Sequence, residues 1–422
     1  MSVTNFQSEF NKIMNCDYFS EKVQPIRKKA FTNFLKKGIP NKKWEQWRFT
    51  DLSPITNIDF HISDTNDAPN QDIDILKYGM IDIPTIVIYN GHYQEKLSSV
   101  PPEIKLLSCL DYMELKNWNV EQPKDSPFDL LNTALMDSGI CLIADKNYQT
   151  KSAIRILFIS SGTQHLISSP RVHIDLKDSS SMTIIEQHTG DSEEYFLNGS
   201  LVITLKNNSK LSHIRLQENS NKTINMGNIH VQQEEASHYT FHQFAYGSQL
   251  GRLNLHADLN GQGAECFLNG LTLTNNKQHI DNFVITSHNA PHCISSQNFK
   301  TVLQDHSTGV FNGRTIVSKD ATKTDSSQVN KNLLLSTNAL INSNPQLEIH
   351  TDDVKCSHGS TTGELDTNAL FYIQSRGLDI ISAKMLLIQG FASELISKIS
   401  DKEIKNYLLN QFNSWLENNT KK

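Results

Sequence analysis

From residue 151 to about 350 the chain shows hydrophobic and polar positions alternating in short bursts: "RVHIDL", "SMTIIEQ", "LVITL", "RLNLHADL", "CFLNGLTL" and "NFVITSH". In "RLNLHADL" the residues Leu253, Leu255, Ala257 and Leu259 keep a period of two, which places one face of an extended strand in a core. Between the bursts lie "KNNSK", "LNGQG" and "TNNK", the Asn, Gly and Ser clusters that reverse a chain. Short strands at this spacing allow a sandwich, a barrel or a stacked solenoid. No strict repeat motif is visible, but the length of the stretch favours the solenoid over a single sandwich.

The flanks read differently. Toward the N-terminus, Val23, Ile26, Phe31 and Phe34 fall near helical spacing, with Gly38 and Pro40 as stops. Trp44 and Trp47 bracket a turn beside Arg48, a pattern of aromatic packing with a surface charge. "IPTIVIYNGHYQ" predicts a strand ending in an Asn-Gly turn, and Ser126-Pro127 opens a helix stopped by Gly139. Past residue 365 the period becomes helical: Leu378, Ile381, Met385, Ile388, Ala392, Leu395 and Ile399 form one apolar stripe. Ser400 and Glu403 match a capping box opening a second helix, whose Ile404, Tyr407, Leu408, Phe412 and Trp415 share a face. The expected organisation is an N-terminal α/β region (1–150), a mainly β core (151–365) and a C-terminal helical region (366–422).

Composition narrows the function classes. A formal charge of −6 provides no basic field for nucleic acid. The N-terminus lacks a cationic start followed by an apolar run, and the best apolar runs fall short of the roughly 20 residues of a spanning helix. The six cysteines (16, 109, 141, 266, 293 and 356) include no CxxC pair, as expected for reduced thiols in a cytoplasmic protein that does not enter a membrane.

The reactive side chains concentrate in "HTDDVKCSHGSTTGEL", residues 350–365. If that stretch is extended, His350, Asp352, Val354, Cys356 and His358 share one face. A thiolate and an imidazole side by side are ligands for zinc or an iron–sulfur species, and Lys355, on the other face, would lower the thiol pKa if it folds back toward the sulfur. Two donors do not fill a four-coordinate site, so the others must come from distant residues, an exogenous molecule or another chain. A cysteine nucleophile with His358 as base is the rival reading, but no oxyanion-hole signature accompanies it. "GSTTGEL" fails as a phosphate loop, since Glu364 stands where a lysine is needed; any ATP dependence must come from a partner. His238, His242, His288, His292 and Cys293 read as turn and edge residues. A solenoid carbohydrate-active enzyme working with paired carboxylates is the alternative class.

Four stretches carry a resemblance: "WEQWRFTDLSPI", "VFNGRTIV", "TDSSQVNKNLLLS" and the long segment "PQLEIHTDDVKCSHGSTTGELDTNALFYIQSRGLDIISAKMLLIQGFASELI". In this order they closely resemble the SufB/SufD family, scaffold components of the SUF system of iron–sulfur cluster assembly. Ser357 and Gly359, flanking His358, replace the acidic "EHEATTS"-like stretch of the SufB branch and align the chain with the SufD branch. The resemblance implies a right-handed parallel β-helix core and a non-catalytic scaffold role. It implies SufB as partner through the end of the β-helix, and the ABC-type ATPase SufC as partner through the C-terminal helices, around Leu378, Met385, Ile388 and Phe391. It also implies a transient iron–sulfur cluster shared with SufB, with His358 as nitrogen ligand and Cys356 as auxiliary ligand or sulfur acceptor. A homodimer of the isolated chain is a further expectation.

Overall fold

A computed structural model describes residues 3–15, 22–62, 73–80, 83–116, 126–136, 138–150, 152–162, 165–192 and 194–420; Cys16 lies outside them. The connections between consecutive core strands are too short for crossover helices, so each strand passes to the opposite sheet and pairs with the strand two places on. Phe196–Leu205 pairs in parallel with Ile224–Gln233, then Leu250–Leu259, His279–His288, Thr308–Val317 and Leu340–Ile349 follow in the same sheet. Lys210–Gln217, His238–Ala245, Glu265–Thr274, Ile294–Leu303, Thr324–Leu334 and Val354–Gly363 build the other sheet in the same way. The product is a parallel β-solenoid of two sheets, of 11 and 10 strands, and neither a sandwich nor a barrel. Strands before residue 150 continue it: Thr85–Tyr89 pairs with Ile154–Ser160, and Gly139–Ala144 pairs with Arg171–Leu176.

The repeat absent from the letters is present in the backbone. Asn147, Ser179, Asn208, Ala236, Gly263, His292 and Lys323 all have φ between 50° and 70°. Each donates its N–H to a carbonyl one coil further on, for example Asn208 to Glu235 and Ala236 to Gln262. At this corner one left-handed residue per coil makes the turn, while Ser248, Asn276 and Asp305 are left-handed at the other; Gly, Asn and Asp adopt that conformation most readily, but coil-to-coil hydrogen bonding holds other residues there too. Hence His292 occupies a corner while His288 is buried and bonds Ser295 at 2.8 Å. The Asn90-Gly91 hairpin turn (φ 47° and 92°) and the Ser126 cap on Asp129 N form as the sequence predicts.

Both faces of the central strands are buried, which is why their alternation is muddied. Inward residues such as Leu201, Ile203 and Leu205 pack with Leu255, Phe241 and Leu268 inside the solenoid. The outer face of the 11-stranded sheet is covered by N-terminal helices, whose Phe6, Phe31, Phe34 and Phe128 pack with Trp47 onto Phe196, Ile224 and Leu250. The outer face of the ten-stranded sheet is covered by the helices Ile380–Ser397 and Lys402–Thr420, through Ile388, Leu395, Ile404, Leu408 and Phe412. Ile380–Ser397 is long and apolar enough to cross a membrane by length and composition, which the runs read from sequence were not. Its Ala383, Ile388, Ala392, Leu395 and Ile396 are instead buried within the protein. The last helix is capped by Asp401, which accepts from Glu403 N and Ile404 N, and not by Ser400.

Glu218 lies in the joint between this last helix and the solenoid. Tyr407 donates to it at 2.9 Å, Gln187 at 2.8 Å, and Tyr246 donates as well. Burial nevertheless outweighs these bonds and raises its pKa above the usual carboxylate value. Between the unfolded and the folded pKa, the folded protein holds a proton that the unfolded chain has released. The stability this group contributes is therefore complete below its unfolded pKa and is lost as pH rises through the folded one. Glu218→Gln is expected to flatten that dependence. Melting curves of both proteins between neutral and mildly acidic pH check it; parallel curves would disprove the assignment.

Candidate functional site

The solenoid ends in two strands, Leu340–Ile349 and Val354–Gly363, each paired along one edge only. Register fixes what they present. Ser295, Ser326 and Cys356 stand in one column, and Gln297, Gln328 and His358 in the next. Ser326, Gln328, Asn330 and Asn332 are buried residues of the solenoid interior. Cys356 and His358 continue the same columns in the last coil, where no further coil covers them, so Cys356 is half-buried and His358 exposed. The opposite wall continues inward positions through Ile341, Ser343, Pro345 and Leu347, and Ser343 bonds Asn330 at 2.7 Å and Ser360 at 2.8 Å. The interior thus opens at this end as a mouth with an apolar wall on one side and a sulfur and an imidazole on the other.

The face expected from sequence is divided. His350 and Asp352 precede the strand, across the corner where Lys323 N bonds Asp353 O, and His350 instead bonds Glu348 at 3.0 Å. Val354, Cys356 and His358 remain together. Burial and the Asp325 carboxylate push the Cys356 thiol up, with only the Ser326 backbone N–H opposing; Lys355 lies on the other face of the strand and does not activate it. Among the described residues no group of three or more His, Cys, Asp or Glu is placed to hold a metal, and Cys356 and His358 are at most a pair. The remaining described cysteines (109, 141, 266 and 293) are buried. His238 bonds Glu265 at 2.9 Å, apart from His242.

The helical positions also divide. Leu378 is 38% exposed, Met385 and Phe391 are partly buried against the core, and Ile388 is 1% exposed, spent on the protein's own packing. The exposed apolar surface is carried instead by Phe371, Tyr372, Ile380, Ile381 and Leu386 beside Leu378. Phe371 and Tyr372 escape a reading of the apolar stripe because they belong to a separate short helix, Thr367–Ser375.

A buried charged cluster inside the solenoid escapes the sequence reading as well. Glu186 bonds His188 at 2.5 Å, His213 at 2.8 Å and Arg215 at 3.2 Å. Arg215 continues to Gln217, Gln243 and Asn225 at 3.0–3.2 Å, in space that Gly227 leaves open: a Cβ there would lie 2.8 Å from the guanidinium. The signal that could find it is in "IIEQH" and "SHIRLQ", where charges fall on the inward period of two.

Known proteins are similar to this chain in sequence over most of its length. Residues 158–391 match the model described as SUF system FeS cluster assembly, SufBD core domain, and residues 4–156 match the SufBD protein N-terminal region. The chain is 29% identical over 385 residues to an iron–sulfur cluster assembly SufBD family protein of Synechocystis, covering 86% of this chain and 84% of that one. It is 28% identical over 407 residues to the iron–sulfur cluster assembly protein SufD of Escherichia coli, covering 92% of each. It is 28% identical over 418 residues to the chloroplastic protein ABCI7 of Arabidopsis thaliana, covering 92% of this chain and 85% of that one.

Proposed function

The chain belongs to the SufBD family of iron–sulfur cluster assembly proteins, and we propose that it is a non-catalytic scaffold subunit whose open solenoid end meets SufB and shares a nascent cluster with it. The observation that carries this reading is the uncovered last coil. Its strand edges have unpaired hydrogen-bonding groups, a state that proteins otherwise cover or blunt. Cys356 and His358 stand at that edge, two donors short of a tetrahedral set, and a neighbouring subunit supplies the rest. The cluster is the cargo of this site. His358 ligates through its neutral imidazole, and Cys356 serves as auxiliary ligand or sulfur acceptor.

The second surface is the exposed apolar patch of the C-terminal helices, which we assign to the ABC-type ATPase SufC. Its residues are Phe371, Tyr372, Leu378, Ile381 and Leu386, with Met385 and Phe391 behind them. ATP binding by that partner moves the helices and transmits strain to the shared end. Co-purification separates the two surfaces. Leu347→Lys, in the mouth, is expected to weaken SufB binding by ~100-fold and leave SufC bound, while Phe371→Asp with Leu386→Asp does the reverse. Retention of both partners by both variants would refute the assignment of surfaces.

A further inference from the structure

Beside the C-terminal helices, a cavity of about 500 Å³ opens on the outer face of the ten-stranded sheet, under the turn formed by Lys398, Ile399, Ser400 and Asp401. Its floor is a ladder of hydroxyls, since Thr183, Ser212 and Thr240 are register partners on adjacent strands, about 4.8 Å apart. The Thr240 hydroxyl is engaged by His238 Nε2 at 3.0 Å. Lys210 stands in the neighbouring row. Lys398 reaches down to Asn269 Oδ1 at 2.9 Å, and Asn269 is the register partner of His242.

Two features favour an anion. Neither Lys210 nor Lys398 has a carboxylate within salt-bridge distance among the described residues, and Glu394, near Lys398 on the preceding helix, is bonded to Lys300 at 2.6 Å. His242 lines the cavity at 5% exposure, and its Nδ1 is sealed from solvent without a hydrogen-bond partner. Burial and Lys398 lower its pKa to about 4, so the ring is neutral at physiological pH. Nδ1 is sealed, so Nε2 is the ring nitrogen left to meet a ligand, and the tautomer protonated there offers it a donor. The opposing charge is Asp401, whose Oδ1 already accepts from two helix N–H groups.

We propose that this cavity binds a tetrahedral oxyanion, either free phosphate or the phosphate head of a small ester, between Lys398, His242 and the hydroxyl of Ser212, with Lys210 adding positive charge from the neighbouring row. Every group named can donate, and an oxyanion is the ligand that only accepts. Because Lys398 belongs to the helical turn and the other three to the sheet, the bound anion also fastens that turn to the solenoid.

Calorimetric titration of the full chain with inorganic phosphate, and in parallel with glycerol phosphate, tests this. Saturable binding at one site is expected, weakened at least about tenfold by Lys398→Glu and kept within a few-fold by His242→Gln, whose amide also donates. Tighter binding of glycerol phosphate identifies an ester as the ligand, and equal or weaker binding identifies the free anion; both uphold the site. Absence of saturable binding up to ~10 mM, or affinity unchanged in Lys398→Glu and Lys210→Glu, overturns it. Melting curves without phosphate confirm that the variants fold.

Discussion

His358→Ala is expected to leave the assembled complex intact and to cut cluster loading at least about tenfold, since the site starts with few donors and loses its imidazole. The side chain is exposed on a strand with one free edge and makes no contact that holds the solenoid together. The cost in stability is therefore expected to stay within about 0.5 kcal/mol. Cys356→Ser should reduce loading less, and His358→Cys, which restores a donor, should recover part of it. Anaerobic reconstitution of each complex with iron(II) and sulfide, followed by metal and sulfide analysis, gives the comparison. Full loading of the alanine variant would remove His358 from the site, while dissociation of the complex would turn its role from ligand to interface.

Glu186→Ala should have the largest effect on stability, a loss of about 3–5 kcal/mol, because it strands Arg215 inside the solenoid without its counter-charge. Glu186→Leu combined with Arg215→Met should recover most of that loss, since an apolar pair avoids the desolvation cost that the ion pair only offsets. The pH dependence has a definite sign. Arg215 and the two histidines hold the Glu186 carboxyl well below its usual range, while burial holds His188 neutral. Both folded pKa values are depressed, so the stability these groups contribute is present above their unfolded values and is lost as pH falls toward the folded ones. This opposes the trend at Glu218. Urea unfolding of the single and double variants from about pH 4 to about pH 8 separates the two; a Glu186→Ala midpoint equal to that of the parent would show the cluster to be energetically idle.

How much of this was legible depended on which physical constraint each residue obeyed. Strands and C-terminal helices could be read because burial imposes a period, as in Leu253, Leu255 and Leu259 or in Leu395 and Ile399. The choice of solenoid over sandwich could not be read from periodicity, because pairing partners lie a whole coil apart and the corner tolerates Ala236, His292 and Lys323 as well as Gly263. Cys356 and His358 were visible as a same-face pair, since two residues in one strand keep their alternation wherever the strand lies. That His350 is excluded depended on a corner at 351–353, and that Ile388 is covered depended on which side of its helix meets the sheet. Neither follows from spacing alone.

The two ends of the solenoid differ in kind. At the N-terminal end, the sheets finish in short antiparallel partners, His92–Tyr93 on Thr85–Tyr89 and Ile104–Ser108 on Gly139–Ala144. Among the described residues the last coil has no such finish. On the proposed pairing through that tip, a subunit pairs once and then has no second open end to offer, so end-to-end joining stops at two subunits and does not lengthen into a filament.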